Sequence, residues 1–252
     1  MTIKSISKSV TIFILGVLLG YIFSRTAILV EQKPVNNLTK KYSSLSKIST
    51  EVQIDYLKKY LSKPIIINYS SDRKTKEYIF VDIDYYVQII TNSDDKVLAY
   101  AVTTRKKDFN PAFSIGDVEV QLGITKFYTD KNPINCFGLL GNTAPTFYFE
   151  RYPGWNGTNY QDYLYGYNTA GYRDTGLEGR FLIPILSDGI FLKDKKGYPE
   201  YDCNSIPQEF RMSFPINTFM VVKDGLVENA SIFNNPQFDL GVNRRVVELI
   251  KE

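Results

Sequence analysis

The side chains best equipped for chemistry in this sequence are carboxylates and aromatic rings crowded into one stretch. From Thr146 to Gly176 the chain reads TFYFERYPGWNGTNYQDYLYGYNTAGYRDTG, with eight Tyr or Trp residues set among Gly, Asn and Asp. Rigid rings stack on the apolar faces of a sugar or peptide, while neighbouring amides and carboxylates take its hydroxyls or backbone. Tyr152, Trp155, Tyr160, Tyr163, Tyr165 and Tyr167 are therefore the candidate ligand-binding residues. The competing reading is a tyrosine-rich segment folded over a sheet, its rings buried and its hydroxyls satisfied. Glu150, Asp162, Asp174 and Glu178 offer the two carboxylates that a glycosidase needs, although their spacing fixes no separation between them. Asp82 and Asp84, on either side of Ile83, form a D-x-D pair that would share one face of a strand. Such a pair suits a hard cation or, equally, the solvent face of an amphipathic strand.

What the chain lacks narrows the chemistry further. There is no histidine, which removes Ser-His-Asp and Cys-His mechanisms and every His-based zinc site. No metal or cofactor is expected. The two cysteines, Cys136 and Cys203, are too far apart for a redox Cys-x-x-C pair, and each follows turn-rich sequence, Asn-Pro-Ile-Asn and Tyr-Asp respectively. They read as a disulfide if the domain lies outside the cytoplasm, or as two small buried thiols. Thirty basic residues against 27 acidic ones are mixed along the chain rather than gathered in a stripe, so nucleic acid is not an expected partner. Arg105-Lys106-Lys107 is a short basic run of the kind that touches anionic lipid or simply solvates a turn.

The elements that must position these residues are mainly strands. Nineteen Tyr and 16 Phe favour half-buried sheet surfaces. Ile79, Val81, Ile83, Tyr85, Val87 and Ile89 alternate strictly and read as strand. The turn from Thr91 to Lys96 returns the chain as Val97 to Val102, giving a hairpin over 85–104. Val118, Val120 and Leu122 alternate again. Phe219 to Lys223, then Asp224-Gly225, then Leu226-Val227 signal a second hairpin, and Phe181 to Leu186 reads as a strand held to an edge or bulge by Pro184. One helix precedes the sheet, with Thr50 and Gln53 as a capping pair, apolar positions from Ile48 to Leu61, and Lys63-Pro64 ending it. Residues 243–250 fit a short helix or a last strand.

At the N-terminus, Val10 to Phe23 carry no charge, and the apolar run resumes after Arg25 as far as Val30. A helix over 10–30 would cross a hydrocarbon layer of about 30 Å. The exit lacks an A-x-A-like cleavage site, which favours an uncleaved anchor over a signal peptide. The expected layout is a signal anchor over 1–30, a flexible stalk over 31–46 and one β-rich domain over 47–252. The N-terminus would lie inside and the domain outside, in the periplasm. The fold class is α+β: a transmembrane helix, then a mainly antiparallel sheet with one or two short packing helices.

Lys96-Val97-Leu98-Ala99-Tyr100-Ala101-Val102-Thr103-Thr104, Asp108-Phe109-Asn110-Pro111 and Leu122-Gly123-Ile124-Thr125-Lys126-Phe127, together with the aromatic middle, resemble an uncharacterised family of bacterial single-pass membrane proteins. The resemblance implies a membrane-anchored layout and no assigned activity. Three functional readings follow from the residues. The first is a membrane-tethered binding module that contacts an envelope glycan, a peptidoglycan fragment or a partner protein through the aromatic segment. The second is a scaffold recruiting through its anchor, where Gly16 and Gly20 form a small-xxx-small face. The third is an envelope hydrolase using Glu150 or Asp162.

Overall fold

Alternating apolar residues over 85–104 pair as expected, and the sheet grows outward from that hairpin. In the computed structural model, which describes residues 37–115, 118–127, 132–139, 147–154, 161–171, 191–193, 200–223 and 241, β3 (Tyr85–Asn92) and β4 (Val97–Thr104) run antiparallel. The strand preceding them, β2 (Thr75–Val81), is separate from β3, so the unbroken alternation from Ile79 to Ile89 spans two strands and a turn. Asp82 makes that turn: its N–H donates to the Tyr85 carbonyl at 2.9 Å, and its carboxylate accepts from the Asp84 N–H at 3.0 Å. Ile83 stands exposed at the tip.

Among the described residues the sheet has ten strands. In addition to those named, they are β1 (Ile66–Tyr69), β7 (Asn135–Leu139), β8 (Phe147–Gly154), β9 (Gln161–Asn168), β10 (Phe191–Lys193), β11 (Glu200–Tyr201) and β12 (Thr218–Lys223). Their order is β1-β2-β3-β4-β12-β9-β8-β7-β11-β10, and every ladder among them is antiparallel. A separate pair, β5 (Ala112–Ile115) and β6 (Val118–Gln121), carries the third alternating run. The chain is thus mostly antiparallel sheet with a few short helices.

Both faces of the sheet are buried. On one, Tyr78, Phe80, Tyr85, Val87 and Ile89 continue through Val102, Phe219 and Val221 to Tyr163, Tyr165, Tyr148 and Tyr152. Residues Ile48, Ile54, Leu57 and Leu61 pack here, the last three on helix α2 (Ile54–Leu61). On the opposite face Ala99, Ala101, Met220, Val222, Leu164 and Phe149 form a second cluster. The Phe149 ring lies against the bare backbone of Gly166, where a Cβ would come 2.2 Å from Cε1. Gly241, at φ +71°, donates its N–H to Gln88 Oε1 at 2.8 Å on that face.

Two expectations need correction. Residues 37–45, read as part of a flexible stalk, form helix α1 (Asn37–Leu45), because Leu38, Tyr42 and Leu45 recur at helical spacing. Leu45 is buried, and the Tyr42 ring packs on Phe109 at 5.1 Å. The capping pair at Thr50 and Gln53 is not made: α2 starts at Ile54 with no side-chain cap, and Thr50 Oγ1 instead accepts from Gln161 Nε2 at 2.6 Å. The strand expected over 219–223 is present, and it lies centrally between β4 and β9.

The chain divides into two units, Met1–Lys41 and Tyr42–Glu252. Among the described residues no helix is long and apolar enough to cross a membrane. The anchor over 10–30 lies outside them, as do the second-hairpin turn at 224–227, the strand at 181–186 and the segment 243–250.

Candidate functional site

The aromatic segment is a hairpin, and its alternation decides which side chains meet. On β8, Tyr148, Glu150 and Tyr152 share a face; on β9, Tyr163, Tyr165 and Tyr167 share the same one. That face is the core. Tyr152 stacks on Tyr163 at 5.5 Å, Tyr163 meets Tyr165 at 5.5 Å, and Tyr165 approaches Phe219 at 6.3 Å. Tyr152, Tyr163, Tyr165 and Tyr167 are at most 3% exposed, so these four rings stabilise the fold and present no stacking surface to a ligand. Trp155 and Tyr160 lie outside the described residues, as do Asp174 and Glu178.

Among these rings sits one carboxylate with no exposure at all, Glu150. Ionised carboxylates tolerate burial only when donors surround them. Here Tyr148 donates to Oε1 at 2.7 Å, Arg211 Nε donates to Oε1 at 2.7 Å and Arg211 Nη2 to Oε2 at 3.0 Å, and the Tyr152 hydroxyl makes a short bond to Oε2. The Tyr152 oxygen is also 3.0 Å from the Phe127 carbonyl; its single proton goes to the charged acceptor. Burial disfavours the charge on Arg211, but the hydrogen bonds and negative charge of Glu150 outweigh it and raise the guanidinium pKa. Burial, followed by the charge of Glu150 and the hydrogen bond to it, raises the Tyr148 and Tyr152 hydroxyls above their usual value. A carboxylate sealed by four donors has neither the access nor the spare lone pairs for general acid or base work. Asp162, on the opposite face, is clamped by Arg151 through Nε at 2.9 Å and Nη2 at 2.5 Å.

Arg211 belongs to helix α3 (Gln208–Ser213), which Phe210 fixes by packing on Phe127, Tyr148 and Phe214. Glu150 pairs across the sheet with Cys136 on β7, and Cys136 with Tyr201 on β11. Cys136 and Cys203 are joined as a disulfide with their Cα atoms 5.3 Å apart, which pins the segment between β11 and α3 to β7. Asp202 shapes that segment by accepting from the Asn204 N–H at 3.0 Å and Asn204 Nδ2 at 3.1 Å.

The consequence is a cleft of about 290 Å³ beside the disulfide, between Asn132–Pro133–Ile134 and Glu200–Tyr201–Asp202–Cys203–Asn204, with Arg211 also in its lining. Its volume lies near the lower limit of small-molecule sites, about 300 Å³. Ile134 is exposed and offers an apolar face. Among the described residues the Asn132 amide, Asn204 Oδ1, Asp202 Oδ2 and Arg211 Nη1 have no hydrogen-bond partner. Sequence reasoning missed this cleft although its signal was present: the two turn-rich flanks preceding the cysteines become its walls once the disulfide brings them together.

The remaining candidates are structural. Asp82 and Asp84 build the β2–β3 turn rather than a cation pair: Asp84 bridges Lys106 at 2.7 Å, and the Asp82 carbonyl accepts from Arg105 Nη1 at 2.7 Å. The basic run thus braces the same turn, with the Arg105 guanidinium 4.8 Å from the Tyr86 ring centre. Among the described residues no group of His, Cys, Asp and Glu side chains is placed to hold a metal ion.

No protein-family model matches the chain, and neither does any curated protein or solved structure. The resemblance to an uncharacterised membrane family therefore carries no residue role into this site, and the functional argument rests on the cleft itself.

Proposed function

We propose that this chain is a membrane-tethered, non-enzymatic binding module facing the cell envelope, and that its cleft beside the Cys136–Cys203 disulfide receives one sugar unit of a glycan or peptidoglycan fragment. The observation that carries the reading is the combination of the Asn132 amide, Asn204 Oδ1, Asp202 Oδ2 and Arg211 Nη1, atoms without a protein hydrogen bond among the described residues, with the exposed Ile134 side chain in one small cleft. Hydroxyls pair with the polar groups while the apolar face of a sugar ring covers Ile134. The backbone around the cleft is preorganised by the disulfide and the Glu150–Arg211 clamp, which lowers the ordering cost of binding.

The disulfide also supports an extracytoplasmic domain, since such bonds persist in oxidising compartments. The apolar run over 10–30 supplies the tether in this reading. The hydrolase reading loses support because Glu150 is sealed and Asp162 is clamped. The scaffold reading rests on Gly16 and Gly20, which lie outside the described residues.

The test is calorimetric titration of the full chain in detergent with muramidase-released peptidoglycan fragments, alongside the double variant Asn132→Ala/Asn204→Ala. Two ligand hydrogen bonds at about 1 kcal/mol each predict a loss of tenfold or more in affinity with the thermal midpoint unchanged. Undiminished binding by the variant would move the site elsewhere.

A further inference from the structure

The other end of the sheet carries a different feature, an edge strand, β1, on whose outer side no strand pairs among the described residues. Ser70 donates its N–H to the Thr75 carbonyl at 3.0 Å, and the β1–β2 register keeps Asn68 opposite Glu77 and Ile66 opposite Ile79. Even-numbered residues of β1 therefore turn their backbone groups toward β2, and Ile67 and Tyr69 turn theirs outward. Neither makes an outward backbone hydrogen bond among the described residues. Their side chains, with that of Ile65, are 44%, 61% and 54% exposed in the order Ile67, Tyr69, Ile65. An apolar edge strand with free donors and acceptors is a template for another strand. On α2, which leads into β1, Tyr56 and Tyr60 are also exposed and meet edge-to-face with ring centres 5.1 Å apart.

We propose that a second copy of this chain occupies this edge, with β1 pairing antiparallel to β1 about a twofold axis through Ile67. In that register Ile67 faces its own mate, and each Ile65 faces Tyr69 of the other copy, so the three exposed apolar side chains of the edge find apolar partners. The backbone fits as well. Each Ile67 exchanges both of its hydrogen bonds with its mate, and each Tyr69 N–H reaches the Ile65 carbonyl opposite. The Ile65 N–H is not needed, being already donated to the Ile79 carbonyl at 2.8 Å. An unrelated peptide would have no reason to reproduce this symmetry of backbone groups and apolar order.

The experiment uses the full chain in detergent. Ile67→Cys should form a disulfide-linked dimer on mild oxidation, since residues exchanging both hydrogen bonds have Cα atoms about 5.5 Å apart, within disulfide reach. Ile83→Cys, on the β2–β3 turn and more exposed than Ile67, should not. Separately, Ile67→Lys and Ile67→Glu should each sediment as monomer, and an equimolar mixture should recover the dimer because position 67 faces itself. Cross-linking of Ile67→Cys no greater than that of Ile83→Cys would overturn the proposal. So would a dimer that survives Ile67→Lys, or a mixture that stays monomeric.

Discussion

Replacing Glu150 with Gln removes one charge and almost no volume, and the structure makes the consequence large. The wild-type carboxylate accepts from Tyr148, Tyr152 and two nitrogens of Arg211 with no exposure to water. In Glu150→Gln, the Arg211 guanidinium, whose side chain is only 13% exposed, loses its counter-charge, and the new amide NH₂ points at groups that are themselves donors. Breaking a buried pair by removing one partner costs about 3–5 kcal/mol. For a domain of this size each kcal/mol lowers the thermal midpoint by about 2–4 °C, so a fall of about 6–20 °C is expected. Urea unfolding followed by both fluorescence and circular dichroism measures the loss directly, with coincident curves licensing the two-state treatment. The double variant Glu150→Gln/Arg211→Met leaves no unpaired charge, and should be more stable than the sum of the single losses by about 2 kcal/mol or more. A single-variant loss below about 1 kcal/mol, or strict additivity in the double variant, would refute the clamp as a stabilising unit.

Removing the disulfide tests the other support of the cleft. Cys136 and Cys203 are 67 residues apart, and loop-closure entropy for that length predicts a loss of about 4 kcal/mol in Cys136→Ser/Cys203→Ser by chemical denaturation; a loss under about 1 kcal/mol would show that the segment holds without it. The buried tyrosines predict alkaline unfolding. Burial and then the charges of Asp82 and Asp84 push Tyr85 up to about 12, and burial alone pushes Tyr201 up to about 12. With folded values above the unfolded value of about 10, their contribution to stability is complete below pH ~10 and is lost as pH rises toward 12. Absorbance at 295 nm should therefore show a block of tyrosines ionising together with the loss of circular dichroism in that window, and smooth ionisation near pH 10 with the fold intact would contradict their burial.

The β3–β4 hairpin was legible because its signals are local: two apolar runs of matched length with a turn of Asn, Ser and Asp between them. The boundary between β2 and β3 was not. With both faces of the sheet buried, apolar residues occupy even positions such as Tyr78, Phe80 and Tyr86 as well as odd ones, so the alternation from Ile79 to Ile89 held no information about which face each residue takes. The same blurring disguised β8 and β9. Tyr163, Tyr165 and Tyr167 show a strand period, but the Gly and Asn around them read as loop, and the rings fit a binding surface as well as a buried cluster. The setting of β12 between β4 and β9 depends on long-range pairing that no local pattern encodes. Arg211 had no sequence signal at all, because a lone arginine on a six-residue helix shows its importance only when Glu150 lies beneath it.

The cleft is the centre of this account, and hydrogen exchange read by mass spectrometry tests it most directly. The full chain in detergent is exchanged with and without saturating peptidoglycan fragments. The account predicts slowed exchange confined to 132–137 and 200–211. Slowing at 155–160 instead, around Trp155 and Tyr160, or no slowing anywhere at saturation, would contradict it.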